Sequence, residues 1–310
     1  MNIKGYDSDD YSDFEYDDED LDLDFDDCTE KVVKYMFDWR TLKNTVEEWT
    51  KNRELVESNY GHISLWDTQY VTNMDFLFKN LKHFNEVLLW DTGNVESMNS
   101  MFYGCESFNQ PLIWNTRRVI DMSYMFLGCK SFNQPVNFIT RNVESMNGMF
   151  YGCTSFNQSL NLNTDTVTDF DSMFHDCELF NQNIYFDTKQ AISMTNMFNN
   201  CKKFNQQLIW DMSNVKNISS MFYNCTSLNN LPKFTVKHKV KQNDMFYNTP
   251  IKHDLIKYNL NRYEDIPVNH ILFKINDRYR FLIVVKTKQN IKIHPCLTTE
   301  DIIKYIIKFI

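Results

Sequence analysis

The dipeptide Met-Phe stands at positions 101, 125, 149, 173, 197, 221 and 245, preceded by Leu77-Phe78, and every interval is 24 residues. No insertion breaks the run. A chain that repeats this strictly must lay each unit on its neighbour in one register, because a single 24-residue unit has too little surface to bury its own apolar side. The period therefore constrains the fold before any single residue does.

The fullest unit runs from Val95 through Thr116 as V-x-x-M-x-x-M-F-x-x-C-x-x-F-N-Q-P-L-x-W-x-T in outline. Its first half, Val95, Met98, Met101, Phe102 and Cys105, has steps of three and four, the spacing that gathers side chains on one side of a short helix or 3-10 turn. A helical segment is expected there. In the second half Leu112 and Trp114 are two apart, which predicts a short strand with both side chains inward. Stacked units then form a parallel sheet, and eight of them reach on the order of 40 Å at about 4.8 Å per strand. The expected fold class is an α/β repeat solenoid.

Six of the eight cysteines, Cys105, Cys129, Cys153, Cys177, Cys201 and Cys225, hold one place in the period. No close Cys or His pair of a zinc motif accompanies them, so they read as reduced, buried thiols that behave as small apolar residues. Met98, Met122, Met146 and Met194 share the inward spacing and read as core rather than as a copper site. An Asn recurs at 85, 109, 133, 157, 181, 205 and 229. Stacked amides carry both donor and acceptor, so they can satisfy buried turn backbone and one another.

The strings WDTQYVTNMDFLF, WDTGNVESMNSMFYGCESFNQPLIW and WDMSNVKNISSMFYNCTSLN resemble the mycoplasma-type lipoprotein surface repeat, a relative of the bacterial-surface-protein-A-like leucine-rich repeats. The resemblance covers about Leu42 to Tyr247 and includes the lead-in LKNTVEEWTKNRELVESNYGHISLWDT. It implies a leucine-rich-repeat-like fold and a binding role, and it brings no catalytic residue and no ligand. Similar repeats occur in uncharacterised proteins of giant DNA viruses, which this Asn-, Ile- and Lys-rich chain resembles more. Phe138, Leu162 and Phe186 replace the Trp of the middle units, and Lys239 and Thr249 replace Val and Cys in the last.

The ends differ from the middle. Asp7 to Asp27 holds thirteen carboxylates and no Lys or Arg, so the formal charge of −9 becomes about +4 without it. Residues 1–27 read either as a plain disordered acidic tail or as an acidic-aromatic binding segment. Residues 28–60 are expected to be helical, with apolar faces from Val32, Val33, Met36, Phe37, Leu42, Val46, Trp49 and Leu55, and to cap the repeats of 61–250. Beyond, 251–310 should contain strands at His270 to Ile275, Tyr279 to Lys286 and Asn290 to Ile293 and a last helix begun by Thr298 or Thr299, as a cap or as a separate module.

An acidic tail beside a mildly basic body speaks against a dedicated nucleic-acid binder, and no apolar stretch approaches the roughly 20 residues that span a bilayer. No secretory signal is read at the N-terminus, so an intracellular site, host cytoplasm or virion if viral, is expected. None of the seven His residues has a metal-ligand spacing, and no phosphate-binding loop or nucleophile motif occurs. Catalytic, cofactor and metal sites are accordingly not expected. Residues between the inward Leu and Trp point outward and align every 24 residues. One stripe is Leu89, Ile113, Asn137, Asn161, Tyr185, Ile209 and Lys233; beside it run Val87, Pro111, Pro135, Ser159, Asn183, Gln207 and Leu231. The expected function is a non-catalytic protein–protein interaction scaffold using this face, with a self-associating structural component, a homo-oligomer, as the alternative.

Overall fold

The computed structural model describes residues 35–230, 232–235 and 240–251, and the backbone alone of strands at 270–275, 280–286 and 291–292. The chain divides into two units, Met1–Val33 and Lys34–Ile310, of which the first lies outside the described residues, as does the expected last helix.

Asp38 begins the first helix, α1 (Trp39–Lys51), by accepting a hydrogen bond from Thr41 N at 2.8 Å while Thr41 Oγ1 accepts from Asp38 N at 3.0 Å. This reciprocal cap satisfies two otherwise orphaned donors, and the hydrogen bond from Thr41 N holds the Asp38 carboxyl below its usual range. Leu42, Val46 and Trp49 are buried, the spacing of one helix face. Asn52 then caps α2 (Arg53–Tyr60), which ends at Gly61, where φ is +74°. A 3-10 turn (Ile63–Leu65) leads into the repeats.

Two expectations for this segment are corrected. Met36 and Phe37 precede the helices in extended backbone: Met36 forms a parallel bridge with Asp67, and Phe37 stacks on Trp66 at 5.0 Å between ring centres. The Asp38 cap sets that boundary. Leu55 is exposed, and the adjacent Val56 makes the inward contact of the short second helix.

From Asn73 onward one chain of parallel bridges links positions 24 apart, joining Asn73, Ser97, Asp121, Ser145, Asp169, Ser193, Asn217 and Lys241 in order. A second contact row joins Val136 to Leu160, and pairs β1 (Ile209–Asp211) with β2 (Lys233–Thr235) in parallel. Among the described residues the other units form no full strand at this place. Their inward residues are buried all the same, Leu112 and Trp114 among them.

Val95 to Cys105 is not a helix. It is a run of linked turns whose donors alternate in direction. Met98 N, Ser100 N, Phe102 N and Gly104 N donate to Asp121 O, Ser123 O, Met125 O and Leu127 O of the next unit, at 2.6 to 3.1 Å, while Met101 N, Tyr103 N and Cys105 N close turns onto Met98 O, Ser100 O and Phe102 O. Left-handed backbone accompanies these turns at two places in each unit, four residues apart. It falls at Asn80, Gly104, Gly128, Gly152, Asp176, Asn200, Asn224 and Asn248, all with positive φ, and four residues earlier at Phe76, Ser100, Tyr124, Gly148, Ser172, Asn196, Ser220 and Asp244. Gly, Asn and Asp bear that conformation at least cost, which explains the first row completely.

Inside, side chains form columns. Phe78, Phe102, Phe126, Phe150, Phe174, Phe198, Phe222 and Phe246 stack with centres 5.1 to 5.7 Å apart. Phe84, Phe108, Phe132, Phe156, Phe180 and Phe204 make a parallel column at 5.9 to 6.1 Å. Phe138, Leu162 and Phe186 fill the Trp position of the middle units and stay buried. At the far end, β3 (His270–Ile275), β4 (Arg280–Lys286) and β5 (Ile291–Lys292) form an antiparallel sheet in that order, close to the expected strand boundaries.

A Cβ added at Gly148 would meet the Tyr124 ring at about 2.5 Å, whereas one at Gly128 would find its nearest neighbour at 3.6 Å. Gly128→Ala should therefore cost only the left-handed penalty, about 1–2 kcal/mol in chemical denaturation. Gly148→Ala should cost more, and Tyr124→Ala combined with it should show favourable coupling; equal losses for the two single variants would refute this account of the packing.

Candidate functional site

Four rows compete for the role of a site, and their partners separate them. The first is the thiols. Each of Cys105, Cys129, Cys153, Cys177, Cys201 and Cys225 is free and buried, and each Sγ donates to the backbone oxygen of the Phe 27 residues before it, at 2.9 to 3.1 Å. Burial pushes the Cys105 thiol up to about 12 and raises the other five as well. A thiol held in its protonated form is a poor nucleophile and a poor ligand. In the last unit Thr249 takes this place and turns its Oγ1 onto Phe246 O at 2.8 Å. In the native state at pH 8, these six thiols should resist maleimide for as long as the fold stays closed, then react together on denaturation; rapid labelling of one of them in the folded protein would contradict the ladder.

The second row is an acidic ladder beside the bridges. Asp75 Oδ1 accepts from Ser97 Oγ at 2.5 Å and Asn99 N at 2.8 Å, Asp121 Oδ2 accepts from Asn99 Nδ2 at 2.9 Å, and Asp171 Oδ1 accepts from Ser193 Oγ and Thr195 N, each at 2.5 Å. Burial raises the Asp171 carboxyl, and burial again, with Asp169, Asp171 and Asp121 nearby, raises the Tyr124 phenol. These carboxylates are committed to neighbouring units. Among the described residues no group of three or more His, Cys, Asp or Glu side chains is placed to hold a metal.

The amide row behaves in the same way. Asn109, Asn133, Asn157, Asn181, Asn205 and Asn229 each donate their backbone N–H to the side-chain oxygen of the Asn 24 residues earlier, at 2.7 to 2.9 Å. His175 stands in the turn half, one period after Tyr151: it meets Tyr151 edge-on at 4.3 Å, its Nε2 lies 3.9 Å from Asp176 Oδ1, and its buried Nδ1 has no partner. Burial lowers its affinity for a proton and Asp176 opposes that in part. Since the folded state resists protonation, stability should be lost as pH falls through the ordinary value of about 6.5. His175→Asn, which copies Asn199 of the next unit, should flatten the fall in unfolding midpoint between pH 7.5 and 5.5 relative to the parent; an unchanged slope would exclude His175 as its source.

The fourth row is the outward one, and among the described residues its side chains make no hydrogen bond or ion pair. Leu89, Ile113, Asn137, Asn161, Tyr185, Ile209 and Lys233 are all exposed, Ile113 at 91% and Tyr185 at 84%. Register along the row is fixed by the pairing of Ile209 with Lys233 and by the Trp66–Trp90 and Phe186–Trp210 stacks. Leu65, 71% exposed and one period before Leu89, extends it; stepping the stripe back by 24 residues would have found it. Val87, Pro111, Pro135, Ser159, Asn183 and Gln207 lie exposed beside it, and Leu231 falls outside the described residues.

Charge is placed elsewhere. Glu106 bridges Lys82 and Lys130 at 3.4 and 2.7 Å, and Lys202 pairs with Glu178 at 2.7 Å, all on the rim between the turns and the sheet. Hydrogen bonds from Lys130 and Lys82 hold the Glu106 carboxyl below its usual range. Arg53 reaches from α2 to Glu86 at 2.8 Å and ties the helices to the first unit. From Leu65 to Ile209 the exposed row carries no charge in a chain that is 24% Asp, Glu, Lys and Arg.

A repeat protein with internally satisfied ladders and one uncharged outward row is the class these residues define. The chain belongs to the family described as Mycoplasma protein of unknown function, DUF285, whose model matches residues 34–162 and again 159–258. No curated protein and no solved structure matches.

Proposed function

We propose that this chain is a non-catalytic protein–protein interaction scaffold, built as a leucine-rich-repeat-like solenoid with the row from Leu65 to Ile209 as its contact face. The observation that carries the reading is the contrast among rows. Thiols, carboxylates and amides are spent on neighbouring units, while large apolar side chains without charge stand in water at 67 to 91% exposure at Leu65, Leu89, Ile113, Tyr185 and Ile209. Aligned exposed apolar residues mark interaction surfaces, since nothing in folding alone rewards them. The DUF285 repeat supports an assembly of units and assigns no chemistry to any residue. The proposed setting is intracellular, in host cytoplasm or a virion, and draws on the likeness to giant-virus repeats and on the Asn-, Ile- and Lys-rich composition.

A photo-reactive residue at Ile113 tests the face against one at Ile192, which is 45% exposed on another row. In cells producing the chain, the Ile113 probe should give discrete protein adducts that the Ile192 probe lacks, and Tyr185→Asp should weaken them at least tenfold. Equal labelling from both positions, or none, would remove the interaction role from this face.

A further inference from the structure

The exposed row has an internal order that its composition hides. Its centre is the pair Asn137 and Asn161, and outward from that centre large apolar residues face one another, Ile113 on one side and Tyr185 on the other, then Leu89 and Ile209, until Leu65 at one end meets Lys233 at the other. From these positions we infer that the face binds a second copy of this chain, the two rows running in opposite directions about a twofold axis that passes between Asn137 and Asn161 along the strand direction. This rests on the interaction reading above and names its partner.

A twofold interface is self-complementary, so residue i of one copy must suit residue j of the other and the reverse. Here the axis sets Asn137 against Asn161 of the second copy, where two amides offer donors and acceptors to each other. It sets Ile113 against Tyr185 and Leu89 against Ile209, each pairing occurring twice, and lays the aliphatic stem of Lys233 over Leu65 with its ammonium in water. The adjacent row also meets itself without charge, Pro135 on Ser159, Pro111 on Asn183 and Val87 on Gln207. A same-direction pairing would instead bring the two Lys233 ammoniums together.

Outside these rows the same axis puts Arg141 opposite Asp165 of the second copy, twice by symmetry. Two like-charge pairings, Asp91 with Asp211 and Arg117 with Lys189, also arise, each twice by the same symmetry. They fall beyond the uncharged rows, where salt and water screen them, and Lys189 is already paired with Asp187 at 3.4 Å.

The area fits a weak, transient pairing: seven units at about 4.8 Å each and two uncharged rows about 13 Å wide present roughly 450 Å² per copy, or about 900 Å² in all, below the size of specific stable interfaces. The dimer is accordingly expected to be concentration-dependent.

Cross-linking decides the geometry. In a Cys28→Ser, Cys296→Ser background, Leu89→Cys and Ile209→Cys variants are oxidised separately and mixed, and solution mass is followed by light scattering across concentration. The mixture should give a covalent dimer, and neither variant alone should, because like positions lie five units, about 24 Å, apart in the antiparallel pair. The parent should double in mass as concentration rises, and Ile113→Asp should keep it monomeric without lowering its unfolding midpoint by more than a degree or two. A Leu89→Cys variant that cross-links to itself would overturn the antiparallel arrangement. A chain monomeric at every concentration, with no cross-link in the mixture, would overturn the second copy as partner. If the Ile113 photo-probe still captured another protein in that case, the interaction reading would stand; if it captured none, both would fall.

Discussion

The structure depends on one arrangement of the backbone: in the turn half of each unit, every second N–H leaves its own unit for the next. A buried amide that lacked an acceptor would cost about 1–3 kcal/mol, so a unit with no neighbour would carry several such penalties at once. The donors Met98, Ser100, Phe102 and Gly104 show the pattern, and the same four places recur through the stack. This explains why side chains that would be reactive elsewhere are spent internally. The cysteine Sγ atoms, the Asp75 and Asp171 carboxylates and the Asn side chains all satisfy groups that the backbone leaves over at a unit boundary.

Columns follow from the same constraint. Once the backbone fixes a 24-residue register, like residues lie directly over like, and parallel-offset stacking of Phe78 through Phe246 adds contact energy without new geometry. The register also decides what faces outward. Odd positions such as 113 cannot turn in without forcing Leu112 and Trp114 out, so an apolar residue there is exposed by geometry.

Much of this was readable from the sequence, and the failures have physical causes. Period, inward Met, Phe and Cys, and the Asn ladder follow from spacing alone. The turn half was expected to be helical because steps of three and four belong both to a helix and to a chain of linked turns. The discriminating signal was present at Asn80, Gly104, Gly128, Gly152 and Asp176, residues that favour positive φ at a fixed interval and weaken a helix. Met36 and Phe37 looked helical by apolarity, yet the Asp38–Thr41 cap starts the helix after them. In the exposed row, Leu65 is hard to read from the sequence because it precedes the first full unit, although its place in the period is regular.

The stack also limits how such a chain can change in length. Adding or removing one residue within a unit would shift two phenylalanine columns, the thiol row and the backbone acceptors together, and no local loop lies between them to absorb the slip. Gain or loss of 24 residues shifts none of them, since Cys129 would meet the oxygen of Phe78 as Cys105 now does. Homologous lengths should therefore come in whole steps, and recombination between units should yield folded chains wherever the crossover points share a position in the period.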